Sequence, residues 1–245
     1  MWPAKAPFVI SRDLDVLLSG VTDGRRTFAN TLKYIYITTS ANFGNMVSMA
    51  IATPFLPFLP LIAKQILLNN FLSDLPSIAI STDNVDAEAT ARPRRWDIAE
   101  IRRFMMVFGL ISSVFDMITF AALLLVFHAN QATFQTSWFM ISLLTELAVV
   151  LVLRTHKPMF RSQPGRVLLW STLAVAATTL TIPYLGPLSA LFGFVPLSLA
   201  EMAVIFAILP GYIAATEAAK LWYFRKSNQI SAGWIKGRPK AVGTR

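Results

Sequence analysis

The run ILLNNFLSDLPSIAISTDNVD, residues 66–86, sets oxygen-bearing side chains inside an apolar stretch. Asn70, Ser73 and Asp74 stand three and four positions apart, which places them on one face of a helix. A carboxylate near the middle of a bilayer costs about 2.5–3.5 kcal/mol on insertion scales, so Asp74 must face a polar pathway or a partner. Pro76 has no N–H, and the carbonyl of Leu72 therefore loses its usual donor. The helix is expected to kink or open there. Freed carbonyls at membrane depth are tolerated where they line a cavity, and they can then bind a cation. Two readings stay open on these residues alone: an ion site, or a kinked helix whose polar groups hydrogen-bond to neighbouring helices. A second polar pair precedes it. Asn42 and Asn45 in TTSANFGNMVSMA share one helix side, with Gly44 between them admitting a close backbone. These amides suit interhelical hydrogen bonding, or ligation at a depth comparable to Asn70 and Asp74.

The elements that carry these residues follow from hydropathy. Of 245 residues, 55% are hydrophobic and 14% charged, where a soluble domain has about 25% charged. Six apolar stretches, near 29–53, 58–80, 104–128, 137–153, 167–185 and 199–224, are each long enough for a hydrocarbon core of about 30 Å. The fold class is therefore all-α: a polytopic membrane protein with six transmembrane helices.

The net charge of +9 suggests nucleic acid until its distribution is considered. Arg25, Arg26 and Lys33 precede or open the first span, and Arg92, Arg94, Arg95, Arg102 and Arg103 lie between the second and third. Arg154, Lys157, Arg161 and Arg166 join the fourth and fifth, and a basic tail follows the sixth. The connections TPFLP, HANQATFQTS and GPLSALFGFVP hold no Lys or Arg. This alternation predicts both termini in the cytoplasm, and it makes lipid the partner of the basic loops and nucleic acid none. There is no cysteine, so thiolate metal sites and disulfides are excluded. MWPAKAPFVISRDLDV lacks a signal-peptide core, and the first span is expected to serve as the insertion signal.

In order, the chain divides into a cytoplasmic stub at 1–26, two spans with the candidate site at 27–80, and a cytoplasmic loop at 81–103. A four-helix supporting bundle at 104–224 and a basic cytoplasmic tail at 225–245 complete it. The loop reads as a solvated connector. Lys64 is expected to snorkel outwards or to pair with a deeper acid, and Glu217 to pair with Lys220. Asp116 and Glu146 are expected to make helix–helix hydrogen bonds rather than to ligate.

Two long strings then bring a family into view. GRRTFANTLKYI with TSANFGN, and LLNNFLSDLPSIAISTDNVD with RPRRWD, resemble the carboxy-terminal membrane half of magnesium-translocating P-type ATPases. GLISSVFDMITF, FQTSWFMISLLTE and RTHKPMF continue the resemblance in order, over roughly residues 9–225. It implies a plasma (bacterial inner) membrane location and Mg2+ as the transported ion. It also implies a ligand set of Asn42, Asn45, Asn70, Ser73 and Asp74. Hard oxygens with few charges suit Mg2+, which keeps several waters. The family's DKTG phosphorylation motif and GDG-x-ND hinge motif are absent, as are its nucleotide-binding domain and first four membrane helices. The resemblance therefore implies a chain unable to hydrolyse ATP alone, using ATP only through a missing partner domain in a separately encoded amino-terminal half. The alternative is a truncated, non-transporting remnant or interaction protein. Lys64, Ile141 and Glu146, the last where the family usually has Gln, depart from its pattern.

Overall fold

The computed structural model describes residues 14–91, 93 and 95–236, with side chains described up to Arg225. The first 13 residues of the expected stub, Arg92 and Arg94 of the basic loop, and residues 237–245 of the tail lie outside the described residues. Every regular element among the described residues is helical.

α1 (Leu14–Ala52) is 39 residues long. At 1.5 Å per residue that is about 58 Å, roughly twice a hydrocarbon core. From Leu14 onward the expected stub is thus the first part of the same helix. Nothing between residues 14 and 52 forbids this, since the first proline after Leu14 is Pro54. Thr53, preceding that proline, is disfavoured from continuing the helix. After the turn, Gln65 at the start of α2 (Ala63–Ala79) reaches back with its side-chain oxygen to the N–H of Ile62 at 3.2 Å.

The opening expected at Pro76 does not occur. α2 stays α-helical to Ala79 and then tightens into a 3-10 turn at Ile80–Thr82. The hydroxyl of Ser77 donates to the carbonyl of Ser73 at 2.9 Å, one residue after the Leu72 carbonyl that Pro76 leaves without its helical donor.

A short α3 (Ala87–Thr90) leads to α4 (Ile98–Ala121), capped by Asp97, which accepts from the N–H groups of Ala99 and Glu100. α4 runs into a π-helical turn at Ala122–Val126. α5 (Gln131–Leu153), capped by Asn130, is buried along nearly its whole length and forms the central post. α6 (Arg166–Thr181), the short α7 (Pro187–Phe192) and α8 (Leu199–Lys236) complete the bundle. Glu201 closes a capping box with Ser198 at the start of α8.

Among the described residues, four segments are long and apolar enough to cross a membrane: Ile98–Val126, Gln131–Leu153, Arg166–Tyr184 and Leu199–Arg225. α1 and α2, the first two expected spans, are not among them. α2 has only 17 residues, including Lys64 and Asp74. Even so, α2 carries a buried polar row and an exposed apolar row. Gln65, Asn69, Ser73 and Ser77 are buried, while Leu67, Phe71, Leu75 and Ile78 are exposed.

α1 lies chiefly against α4, and α2 against α6 and α5, so the first two helices touch each other little. The α1–α4 crossing is set by glycine. A Cβ on Gly109 would sit 2.6 Å from Cδ1 of Phe43, and one on Gly44 would sit 2.9 Å from Cβ of Ser112. Ser113 closes the crossing by donating to the Gly44 carbonyl at 3.0 Å.

Candidate functional site

Because α1 and α2 diverge, space remains between them, and α5 forms its floor. A cavity of about 390 Å³ is lined by Asn42, Asn45, Asn69, Asn70, Trp138 and Ser142, with Met46, Met49, Leu61 and Ile66 supplying apolar wall. Ser142 donates to Oδ1 of Asn45 at 3.1 Å, which ties α1 to α5. A more open cleft of about 360 Å³ adjoins it and shares Asn42 and Met46. Asp74 lines this second space, with Tyr34, Thr38 and Met105 around it.

Three of the five predicted ligand residues, Asn42, Asn45 and Asn70, therefore share one cavity. Asp74 sits in the neighbouring cleft, exposed, and makes no hydrogen bond or ion pair among the described residues. Ser73 is buried, and its hydroxyl donates to the Asn70 carbonyl at 3.1 Å. Successive helical residues are about 100° apart, so Ser73 turns to the buried side of α2 while Asp74 turns to the cleft.

Sequence reasoning did not assign Asn69, Ser142 or Trp138 to the site. Asn69 belongs to the same polar run, but its partner lies 77 residues away: Nδ2 donates to Oε2 of Glu146 at 3.3 Å. The Ser73 hydroxyl also lies beside that carboxylate. Glu146 and Asp116 make the expected interhelical hydrogen bonds. Asp116 accepts from Ser48 Oγ at 2.5 Å and from Trp138 Nε1 at 3.2 Å. Among the described residues no three His, Cys, Asp or Glu side chains converge. The chemistry on offer is that of neutral amide oxygens near one free carboxylate.

Lys64 turns outward and donates to the Leu191 carbonyl, and Glu217 pairs with Lys220 at 2.8 Å. The loop after α2 departs from expectation. Asp83 is fully buried, taking Lys33 at 2.8 Å, Arg154 at 3.2 Å and the N–H of Gly165 at 2.8 Å. Asn30 donates to the carbonyls of Ser81 and Asp83 at 3.1 Å. Asp86 accepts from Thr155 at 2.6 Å and Ser162 at 3.0 Å. Burial alone would raise the Asp86 carboxyl, but these hydroxyls and the charges of Lys157 and Lys33 hold it below the ordinary range. The loop is a clasp joining α1, α2 and the α5–α6 connection, because the acids find buried donors there instead of water.

Residues 58–222 match the family described as "Cation transporting ATPase, C-terminus". Over 223 residues, 89% of the chain, the sequence is 41% identical to "Magnesium-transporting ATPase, P-type 1" of Salmonella typhimurium, and equally to that of Escherichia coli K12. It is 23% identical over 222 residues to a "Calcium-transporting ATPase" of Bacillus subtilis, covering 86% of the chain. The chain spans 25% of the length of each of these relatives. With its helices, its buried polar stripe and a match across most of its length, the chain belongs to the family of cation-transporting ATPase carboxy-terminal segments.

Proposed function

We propose that this chain is the cation-binding membrane part of a P-type Mg2+ pump, with Asn42, Asn45, Asn70, Ser73 and Asp74 as its ion-site residues. The observation that carries this reading is the placement of Asn42, Asn45 and Asn70 around one cavity that adjoins the cleft of Asp74. The carboxylate supplies the attraction, the amides supply neutral oxygens, and Ser73 orders the backbone beside them. A cavity of about 390 Å³ has room for a cation and its shell of about six waters, at about 30 Å³ each. That suits Mg2+, which dehydrates reluctantly and takes few direct carboxylates. The names of the relatives in Salmonella and Escherichia coli support the same ion.

In this reading α1 and α2 also cross the bilayer, giving six spans with both termini in the cytoplasm of a bacterial inner membrane. The outward apolar stripe of Leu67, Phe71, Leu75 and Ile78 supports a lipid or helix-packed environment for α2. No DKTG string occurs in the 245 residues. ATP is used through domains outside this sequence.

The test is Mn2+ binding, followed by electron paramagnetic resonance and displaced by Mg2+, on the whole chain in lipid nanodiscs. Asp74→Asn is expected to weaken saturable binding at least about tenfold, since a charge at 4 Å contributes about 4 kcal/mol at an effective dielectric of about 20. Binding unchanged by Asp74→Asn would refute the assignment of the site. A native chain with no displaceable Mn2+ would favour a non-transporting membrane protein.

A further inference from the structure

The side of α1 that borders the gap to α2 carries more oxygen side chains than the ion site uses. Thr27, Thr31, Tyr34, Thr38, Asn42 and Asn45 follow one another at intervals of three or four, so they form one row along the helix. Three spaces lie along this row. The amide cavity shares Asn42 and Met46 with the cleft of Asp74, and that cleft shares Tyr34 with a third space of about 270 Å³. Thr27 and Thr31 line the third space from α1, and Ser77 and Ser81 line it from α2. Thr27, Thr31, Tyr34 and Ser81 are exposed and Thr38 is half-buried, so the row is open along its length. From Thr27 to Asn42 it runs about 22 Å, at 1.5 Å per residue. Beyond Asp74 its oxygens are neutral hydroxyls. Thr31 donates to the Thr27 carbonyl at 2.9 Å and Thr38 to the Tyr34 carbonyl at 2.7 Å. Each has spent its hydrogen inside the helix and keeps lone pairs for an outside donor, such as the waters around a cation. Lys33, whose ammonium would repel a cation, is turned to Asp83 at 2.8 Å.

We propose that this row is the hydrated path by which the cation passes between its site and the end of the bundle that carries the loop after α2. The inference rests on the reading of the cavity and the cleft as a cation site, and it adds Thr31, Tyr34 and Thr38 to the residues that serve it. Their hydroxyls accept from the waters of an ion that dehydrates reluctantly, and they do not strip it. Weak neutral contacts repeated along a path let an ion enter and also leave, where a second carboxylate would trap it.

The sequence contains no cysteine, so a single introduced thiol reports on one position. The experiment treats Thr31→Cys, Thr38→Cys and Leu75→Cys, each as the whole chain in lipid nanodiscs, with a positively charged, water-soluble methanethiosulfonate. Leu75 follows Asp74 directly but belongs to the exposed apolar row of α2 and lines none of the three spaces. The reagent attacks the thiolate, which forms where water reaches the sulfur, so Thr31→Cys and Thr38→Cys are expected to react at least about tenfold faster than Leu75→Cys. Saturating Mg2+ is expected to slow Thr38→Cys at least about threefold and to leave Leu75→Cys unchanged. Thr39→Cys, on the same cleft, is a second reporter at that depth should Thr38→Cys lose helix content by circular dichroism. Cleft thiols no faster than Leu75→Cys overturn the path. Fast thiols that Mg2+ does not slow show a path for water alone, and overturn it too. In both cases the cation site stands if Asp74→Asn still weakens Mn2+ binding. A native chain without displaceable Mn2+ overturns both readings.

Discussion

Asp83→Asn is the most direct probe of how the loop after α2 holds this end of the bundle together. The carboxylate is fully buried and faces Arg154, itself 2% exposed, at 3.2 Å. At an effective dielectric of about 20, unit charges at that separation attract by about 5 kcal/mol. Removing one member of a buried pair leaves the other desolvated and unmatched, which costs about 3–5 kcal/mol. The amide oxygen that this substitution introduces can still accept from Gly165, so the change isolates charge from shape. Lys33, at the rim, is able to reach water, and Arg154 is not. For a chain of this size each kcal/mol shifts the midpoint by about 2–4 °C, so a fall of about 6–20 °C is expected. Intrinsic fluorescence during heating in detergent measures it, helped by six tryptophans. Arg154→Met in the Asp83→Leu background should recover much of the loss, because an apolar pair replaces a buried ion pair with little penalty. A single Asp83→Asn variant melting within about 2 °C of native would refute the view that this loop is a buried clasp.

Two further outcomes follow from the packing and the clasp. Gly109→Ala places a methyl 2.6 Å from Phe43 and 3.0 Å from the Ser40 carbonyl, and should cost about 1–3 kcal/mol, seen as a lowered melting temperature. Asp86 has a depressed carboxyl, so its contribution is present above the ordinary value of 3.8 and is lost as pH falls through the lower folded value. Native protein should therefore keep this part of its stability down to about pH 4, and melting curves from about pH 6 to 3 should show a shallower acid limb for Asp86→Asn. Identical limbs in the two proteins would remove Asp86 from the clasp.

The helical character of the chain was legible because hydropathy and charge are read along the backbone. Segments such as 104–128 and 199–224 needed only local composition, and the observed helices cover the second and all but the last two residues of the first. The polar run at 69–74 was equally visible, as were the Glu217–Lys220 pair and the outward turn of Lys64. Helix ends were less so. The rise of α1 from Leu14 and its passage through Gly20 and Gly24 depend on no local signal stronger than the absence of proline.

What only the tertiary structure decided was the partner of each polar group. Ser73 and Asp74 are neighbours in sequence, yet one faces α5 and the other an open cleft, a division settled by which side of α2 packs. Asn69 meets Glu146 across 77 residues, and Asp83 meets Arg154 across 71. A sequence states which side chains need a donor or a counter-charge. Which distant side chain provides it depends on how helices cross, and here that was set by Gly44 and Gly109, where two backbones come close.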